Sequence, residues 1–519
     1  MSLYSQGTAR RSLIDTVMFR VLSQLATVAG FAIMVRGMSK EGFGVYNLLY
    51  SFIPVVSTVA SLGLEQILRR YQPEYLRAGN KEAAAWLTRT IASARFGVNV
   101  ILLAALLAAW NHFAPLFQLL PYRGAFMVFS VLVLLHFQAQ IVQLALASHM
   151  LHRYSVGAVA TLSIGKLVAY SLLVRFHTLT LETAIYADIA AYVIAFVFLR
   201  MAYHRHCLPA TPAEPYRPDG AQRRRMFRYG LFNNFNDAGT LLMDARTDNF
   251  FIAAFIDPIA VGIYAFYTRL NEMLGNVLPV RLFENVIQPM FFAIPPEEAR
   301  QRLPQYFTFL LNINLLLQWP LLAFCLVYHA EIVSVIFGGK FVEQSWLLPL
   351  LIGFSVVNTV GTPVTLVAQY QERAGIILLS KAFAIYNVVM MLALLPAFGL
   401  YGAAFARGSG QALKNVFIWW HVRGDAVWTN ASSAVSASLL LWGGVAAMCF
   451  VLKLYIHMHV LLHLMAGAGI CAAAALLHVR GPAVSDSDRR ILAAVFKGRE
   501  TQHLRRLGLL PQLGSDHVA

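Results

Sequence analysis

Five basic side chains set in long apolar runs, Arg20, Arg269, Arg281, Lys381 and Arg407, offer the most specific chemistry in this sequence. A guanidinium stays charged at any working pH and can hold two phosphate oxygens at once, so a group of them suits a pyrophosphate. An ionisable group in hydrocarbon costs several kcal/mol unless it is paired or wet, and such residues therefore face a protein interior. For Arg281, and for Lys414, a plainer reading stands beside this one, because a long side chain near a helix end can reach out to the head groups. Arg95, Lys166 and Arg246 also fall in apolar segments, as do the acids Asp15, Glu65, Asp188, Asp237, Asp244, Asp248, Glu272 and Glu284.

Asp237, Asp244 and Asp248 stand at helical spacings that share one face, with Arg246 on another. Together with Asn387 they form a candidate oxygen-donor site for Na⁺ or H⁺ coupling, taken at Asp237, Asp244 and Asn387. Pairing of Asp244 or Asp248 with an arginine of a neighbouring helix explains the same carboxylates structurally. His457, His459 and His463 cluster at the start of one apolar segment. They are too few to fix a metal, and interfacial histidines are ordinary, so no metal is assigned. Cys207, Cys325, Cys449 and Cys471 are scattered without a CxxC pair and read as small hydrophobes. No Walker loop, glycine-rich phosphate cradle or HExxH string is present. No cofactor and no enzymatic reaction are expected, which leaves transport driven by a gradient or by consumption of product.

These residues need a frame that holds them in a membrane. The chain has 519 residues, 58% hydrophobic and 13% charged, against roughly 25% charged in a soluble protein. The fold class is all-α and polytopic. Unbroken runs such as Val98 to Ala109 exclude an outer-membrane barrel, whose strands alternate. Apolar windows give about fourteen spans, centred on 13–35, 43–67, 92–110, 124–148, 156–174, 181–201, 230–254, 259–290, 306–328, 346–368, 376–396, 400–420, 433–452 and 460–478. An even count puts both termini on one side. With that side cytoplasmic, the outer loops carry only Arg36, Lys40, Arg123, Arg175, Lys340 and Lys453, and most other lysines and arginines outside the spans lie inside. This asymmetry accounts for the formal charge of +16 without nucleic acid. Asp15, Arg20 and Gln24 interrupt the first span and no small-residue cleavage site follows it, so it is expected to be retained.

Prolines 209, 212, 215 and 218, followed by a basic run, mark a cytoplasmic linker at 203–229 between a lobe at 1–202 and a lobe at 230–421. Two further spans fill 422–479. A basic amphipathic tail at 480–519 suits the anionic inner leaflet. An internal repeat agrees with the division: Glu41-Gly42-Phe43-Gly44-Val45-Tyr46 is echoed by Ala260-Val261-Gly262-Ile263-Tyr264, and Leu13 and Leu64 fall on Leu231 and Leu282 at the same offset. The offset spans six segments, so the halves share orientation, and a substrate path between such halves lies near the midplane.

The order of a polar-basic start, a first span, Met38-Ser39-Lys40-Glu41-Gly42-Phe43-Gly44-Val45-Tyr46-Asn47, then Ser61-Leu62-Gly63-Leu64-Glu65, Arg69-Arg70-Tyr71 and Pro73-Glu74-Tyr75 resembles the polysaccharide transporter family. These are the Wzx-type lipid-linked oligosaccharide flippases of the multidrug/oligosaccharidyl-lipid/polysaccharide (MOP) exporter superfamily. The resemblance implies two pseudo-symmetric six-helix lobes in a V, with two additional C-terminal helices. It implies alternating-access transfer of an undecaprenyl-pyrophosphate-linked repeat unit across the bacterial inner membrane, for O-antigen, capsule or exopolysaccharide synthesis. The implied partners are the lipid-linked glycan, membrane lipids, H⁺ or Na⁺, and the polymerase machinery. In such flippases basic residues of the central cavity hold the pyrophosphate, a role that Arg20, Arg269, Lys381 and Arg407 fit. The related lipid II flippases carry a cation site to which Asp237 and Asn387 correspond, although Met391 stands where a carboxylate would help. Two alternatives remain. One is a cation-coupled multidrug exporter of the same superfamily, which calls for an acidic or aromatic cavity. The other is a membrane glycosyltransferase or polymerase acting on the same carrier, which calls for larger loops.

Overall fold

The structure, a computed structural model, describes residues 6–208, 216, 218–241, 244–276, 292, 294–423, 431–456, 459–480 and 488–489, with side chains placed except at 6–18, 20, 232–233, 235–240, 296, 431–437 and 480. Helices are the regular structure throughout the described residues, and no strand occurs among them. This is what hydrocarbon demands, since a helix satisfies its backbone within one segment. Ten described helical stretches are long and apolar enough to cross a membrane, with a shorter apolar one at Val21–Gly37. The stretch Ala374–Val422 has 49 residues, enough for two crossings of about 20 residues each. A count near fourteen is compatible with this set.

The chain divides into two compact units, Met1–Ala265 and Phe266–Ala519. The first contains α1 (Gln6–Gly37), α2 (Lys40–Ser61), α3 (Leu64–Arg77), α4 (Lys81–Ala108), the single turn α5 (Trp110–Phe113), α6 (Arg123–Ser148), α7 (His152–Arg175), α8 (Leu181–Cys207), α9 (Gly220–Leu241) and α10 (Ala245–Phe255). Helix α11 (Pro258–Gly275) begins in the first unit and ends in the second. Within the first unit α1 packs on α7, and α8 on both α6 and α7. Helices α9 and α10 pack against α2, with α9 also on α3.

The apolar window 43–67 is not one helix. Leu62 and Gly63 take φ of 45° and 73°, a left-handed pair that ends α2 and starts α3 in a new direction. Helix α3 is amphipathic and buries Ile67, Leu68, Tyr71, Gln72 and Tyr75. The window 230–254 is likewise divided, because Asp244 caps α10 by accepting from the backbone N–H of Arg246 at 2.8 Å. The basic run that reads as linker forms the first turns of α9.

In the second unit α12 (Ala299–Phe337) packs against α13 (Leu347–Val357), α17 (Ala431–Tyr455) and α18 (Val460–Arg480). Helices α13, α14 (Gly361–Tyr370) and α15 (Ala374–Ser380) pack on α16 (Phe383–Val422). The expected segments 376–396 and 400–420 emerge as short α15 followed by long α16, which breaks at Gly399 with φ 56° and ψ −139°. Pro396, three residues earlier, removes a ladder donor there. The expected tail at 480–519 lies almost wholly outside the described residues.

Candidate functional site

A buried polar group of the first unit is assembled from three helices. Tyr46 and Tyr50 share a face of α2, Lys166 and Tyr170 a face of α7, and Asp188 meets them from α8. The Asp188 carboxylate is fully buried. It accepts from Tyr46 Oη at 2.6 Å, from Tyr170 Oη at 2.5 Å and from Tyr50 Oη, with Lys166 Nζ at 3.0 Å. Lys166 Nζ also donates to Tyr50 Oη at 3.1 Å and lies 5.3 Å from the ring centres of Tyr50 and Tyr192. Tyr192 Oη in turn meets His136 Nδ1 at 3.0 Å. A carboxylate in hydrocarbon needs this many donors and a counter-charge to remain ionised.

A second buried charge stands on α4. Arg95 pairs with Glu65 at 3.1 Å, reaches Ser57 Oγ at 3.3 Å and lies 4.5 Å from the Phe137 ring centre. Gln140 Nε2 holds the other Glu65 oxygen at 3.1 Å. Arg95 Nε and Nη1, and both amide atoms of Asn99 one turn later, are buried without a hydrogen-bond partner among the described residues. On α10, buried Asp248 accepts from Tyr264 Oη at 3.1 Å, and Asn249 Nδ2 donates to Ser51 Oγ at 2.9 Å. The repeat-related tyrosines Tyr46 and Tyr264 therefore each donate to a buried aspartate.

The glycines of the repeat explain themselves here. A methyl group on Gly44 would overlap the Pro258 carbonyl, and one on Gly262 would lie 3.0 Å from Gly44 Cα. The openings of α2 and α11 thus touch backbone to backbone, which a side chain on either glycine forbids.

In the second unit a polar seam crosses the apolar interior. Asn271 and Ser355 exchange hydrogen bonds at 3.0 and 3.1 Å. Thr359 donates to Gln318. Asn415 Nδ2 donates to Asn358 Oδ1 at 3.0 Å, and Asn358 Nδ2 donates to the Gly408 carbonyl at 3.1 Å. Lys453 pairs with Glu331 at 2.6 Å and donates to the Val327 carbonyl at 2.9 Å, tying α17 to α12.

Of the basic residues singled out from sequence, Arg269 is exposed on α11, and Lys381 and Arg407 are half-buried, all three in the second unit. Lys381 lies near enough to act electrostatically on Lys414. Arg20 occupies α1 in the first unit, and Arg281 lies outside the described residues. Of the coupling candidates, Asn387 is buried on α16, Asp237 is a position of α9, and Asp244 is the α10 cap. Asp188, Lys166 and the tyrosines around them were not singled out as a site. Their signal was the one-turn spacing of Tyr46 with Tyr50 and of Lys166 with Tyr170. Among the described residues no group of three His, Cys, Asp or Glu side chains could hold a metal ion.

A family model described as polysaccharide biosynthesis protein matches residues 33–346. The probable low-salt glycan biosynthesis flippase Agl15 of Haloferax volcanii is 20% identical over 411 residues, 78% of this chain and 82% of that protein. Among solved structures, the lipid II flippase MurJ in an inward closed conformation superposes with a TM-score of 0.67 at 10% identity, over 89% of this chain and 98% of that one. An inward-facing multidrug resistance MATE family transporter of the MOP superfamily gives 0.64 at 15% identity, over 80% of this chain and 99% of that one. These likenesses establish the fold.

Proposed function

This chain belongs to the polysaccharide biosynthesis protein family, whose model covers residues 33–346, and on that premise we propose that it is a flippase for a lipid-linked oligosaccharide. The cargo is an undecaprenyl-pyrophosphate-linked repeat unit carried across the bacterial inner membrane by alternating access, to be used in O-antigen, capsule or exopolysaccharide synthesis. The family match carries the reading, and the transporter fold supports it. The physical task fits such a protein: a pyrophosphate with several sugars meets about 30 Å of hydrocarbon, where each unsatisfied polar group costs several kcal/mol. No bond is made or broken in the cargo, so the protein acts as a transporter and not as an enzyme.

In this reading Arg20, Arg269, Arg281, Lys381 and Arg407 contact the head group. Asp237, Asp244 and Asn387 couple transfer to H⁺ or Na⁺, with one Asp244 oxygen engaged as the α10 cap. Both termini are cytoplasmic, as the placement of lysine and arginine supports, and the polymerase machinery receives the product. The division into lobes at 1–202 and 230–421, with the linker at 203–229 and spans at 422–479, belongs to the same reading.

A deletion strain tests it. Polyprenyl-linked oligosaccharides are extracted and weighed by mass spectrometry, and the surface polymer is measured beside them. Accumulation of a complete repeat unit with loss of the polymer is expected, with Arg269→Ala and Arg20→Ala variants failing to restore export although they insert normally. No accumulation, with raised sensitivity to cationic drugs, overturns the reading in favour of a multidrug exporter.

A further inference from the structure

At one end of the first unit, α3 and the start of α9 flank a cleft of about 1080 Å³ whose wall includes Arg70, Tyr71, Arg224, Arg225, Arg228 and Tyr229, and no carboxylate among the described residues. The sequence fixes how α9 is seated. Met226 is buried in the core that holds Ile67, Leu68, Tyr71 and Tyr75. Gln222 Nε2 donates to Tyr75 Oη at 3.0 Å, and Tyr216 Oη donates to Gln222 Oε1 at 3.0 Å. Burial, with help from Tyr216, pushes the Tyr75 hydroxyl well above the usual phenol range, so this latch keeps its proton.

With Met226 and Gln222 turned inward, the neighbouring arginines turn out. Arg224, Arg225, Phe227, Arg228 and Tyr229 are all exposed. Two guanidinium groups approach the Tyr71 ring, that of Arg70 at 5.7 Å and that of Arg225 at 5.8 Å, and Tyr229 meets it edge-on at 5.8 Å. Glu74 pairs with Arg70 across an exposed turn at 3.0 Å, a contact weakened by solvent. Along α9, Arg224, Phe227, Arg228 and Leu231 share a face. Basic and exposed apolar groups alternate on it, Arg224 with Phe227 and Arg228 with Leu231. A face that mixes guanidinium and apolar groups suits an amphiphile with a polyanionic head and an apolar tail, and arginine forks recognise phosphate oxygens in pairs.

We infer that this cleft is a surface loading site for the pyrophosphate head group of an isoprenoid lipid, held by Arg70, Arg224, Arg225 and Arg228 before the lipid enters the transport path. The identity of the lipid rests on the flippase reading. The cleft lies on the side that the positive-inside rule assigns to the cytoplasm, where such a lipid would be presented.

The test uses the full chain in phosphatidylcholine nanodiscs and farnesyl pyrophosphate as the probe, with binding read by thermophoresis. Saturable binding is expected, displaced by inorganic pyrophosphate but not by an equal concentration of short-chain phosphatidylglycerol. The double variant Arg70→Gln/Arg225→Gln is expected to bind at least tenfold more weakly. Arg223→Gln, on the same helix but outside the cleft wall, binds as wild type. If the neutral variant fails to fold, Arg225→Lys keeps the charge and removes the fork, and is expected to bind several-fold more weakly. Wild-type binding by either cleft variant overturns the assignment. Equal displacement by phosphatidylglycerol also overturns it, in favour of a general anionic-lipid contact, and so does failure of inorganic pyrophosphate to compete. Binding is read without sugars or transport, so a deletion strain that accumulates no glycolipid defeats the flippase reading and leaves this result to stand or fall separately.

Discussion

Removing the Lys166 ammonium would leave the Asp188 carboxylate fully buried, with tyrosine hydroxyls around it but without the counter-charge now 3.0 Å away. Breaking one side of such a pair costs about 3 kcal/mol or more, whereas removing both charges can be nearly neutral. Lys166→Met should therefore lower the melting temperature of the purified protein in detergent substantially, and Lys166→Met/Asp188→Asn should recover most of the loss. A single variant as stable as wild type would show that water already screens the pair. Both charges are visible in the sequence as ionisable groups in apolar runs. Their pairing is not, because the partners stand on different helices and the tyrosines that complete the cage also fit an apolar pattern. Asp244 teaches the converse. Its place on one face with Asp237 and Asp248 assumes a continuous helix, whereas Asp244 is extended and caps a new helix that begins at Ala245.

Most helices follow from apolar length alone, and their interruptions follow from local backbone chemistry that hydropathy does not register. Leu62-Gly63 reads as part of an apolar window, yet its left-handed pair turns the chain into α3 and so creates one wall of the arginine cleft. Gly44 and Gly262 were legible as a repeat, and the structure adds that they touch. Gly44→Leu would force a side chain into the Pro258 carbonyl, an overpacking that costs on the order of 1–3 kcal/mol. That cost is enough to shift the protein about fivefold or more away from this arrangement of α2 and α11. The expected outcome is normal membrane insertion with surface polymer reduced by about that factor, measured by complementation of the deletion strain. Full complementation would mean that transport does not pass through this contact.

At the scale of the whole chain, composition and charge placement specify a polytopic helical protein, the family match places it among polysaccharide biosynthesis proteins, and its fold is that of the lipid II flippase and MATE transporter structures. Three ion pairs close within a unit, Arg95 with Glu65, Lys166 with Asp188 and Lys453 with Glu331. The central claim is that the protein moves a glycolipid from one leaflet to the other. The direct measurement reconstitutes it into liposomes carrying the lipid-linked oligosaccharide that accumulates in the deletion strain and follows the fraction open to an added glycosidase. The account predicts that the protected inner-leaflet fraction becomes accessible with time, faster than in empty liposomes and slowed by Arg269→Ala. Protection indistinguishable from empty liposomes, with folded protein present in every vesicle, would contradict it.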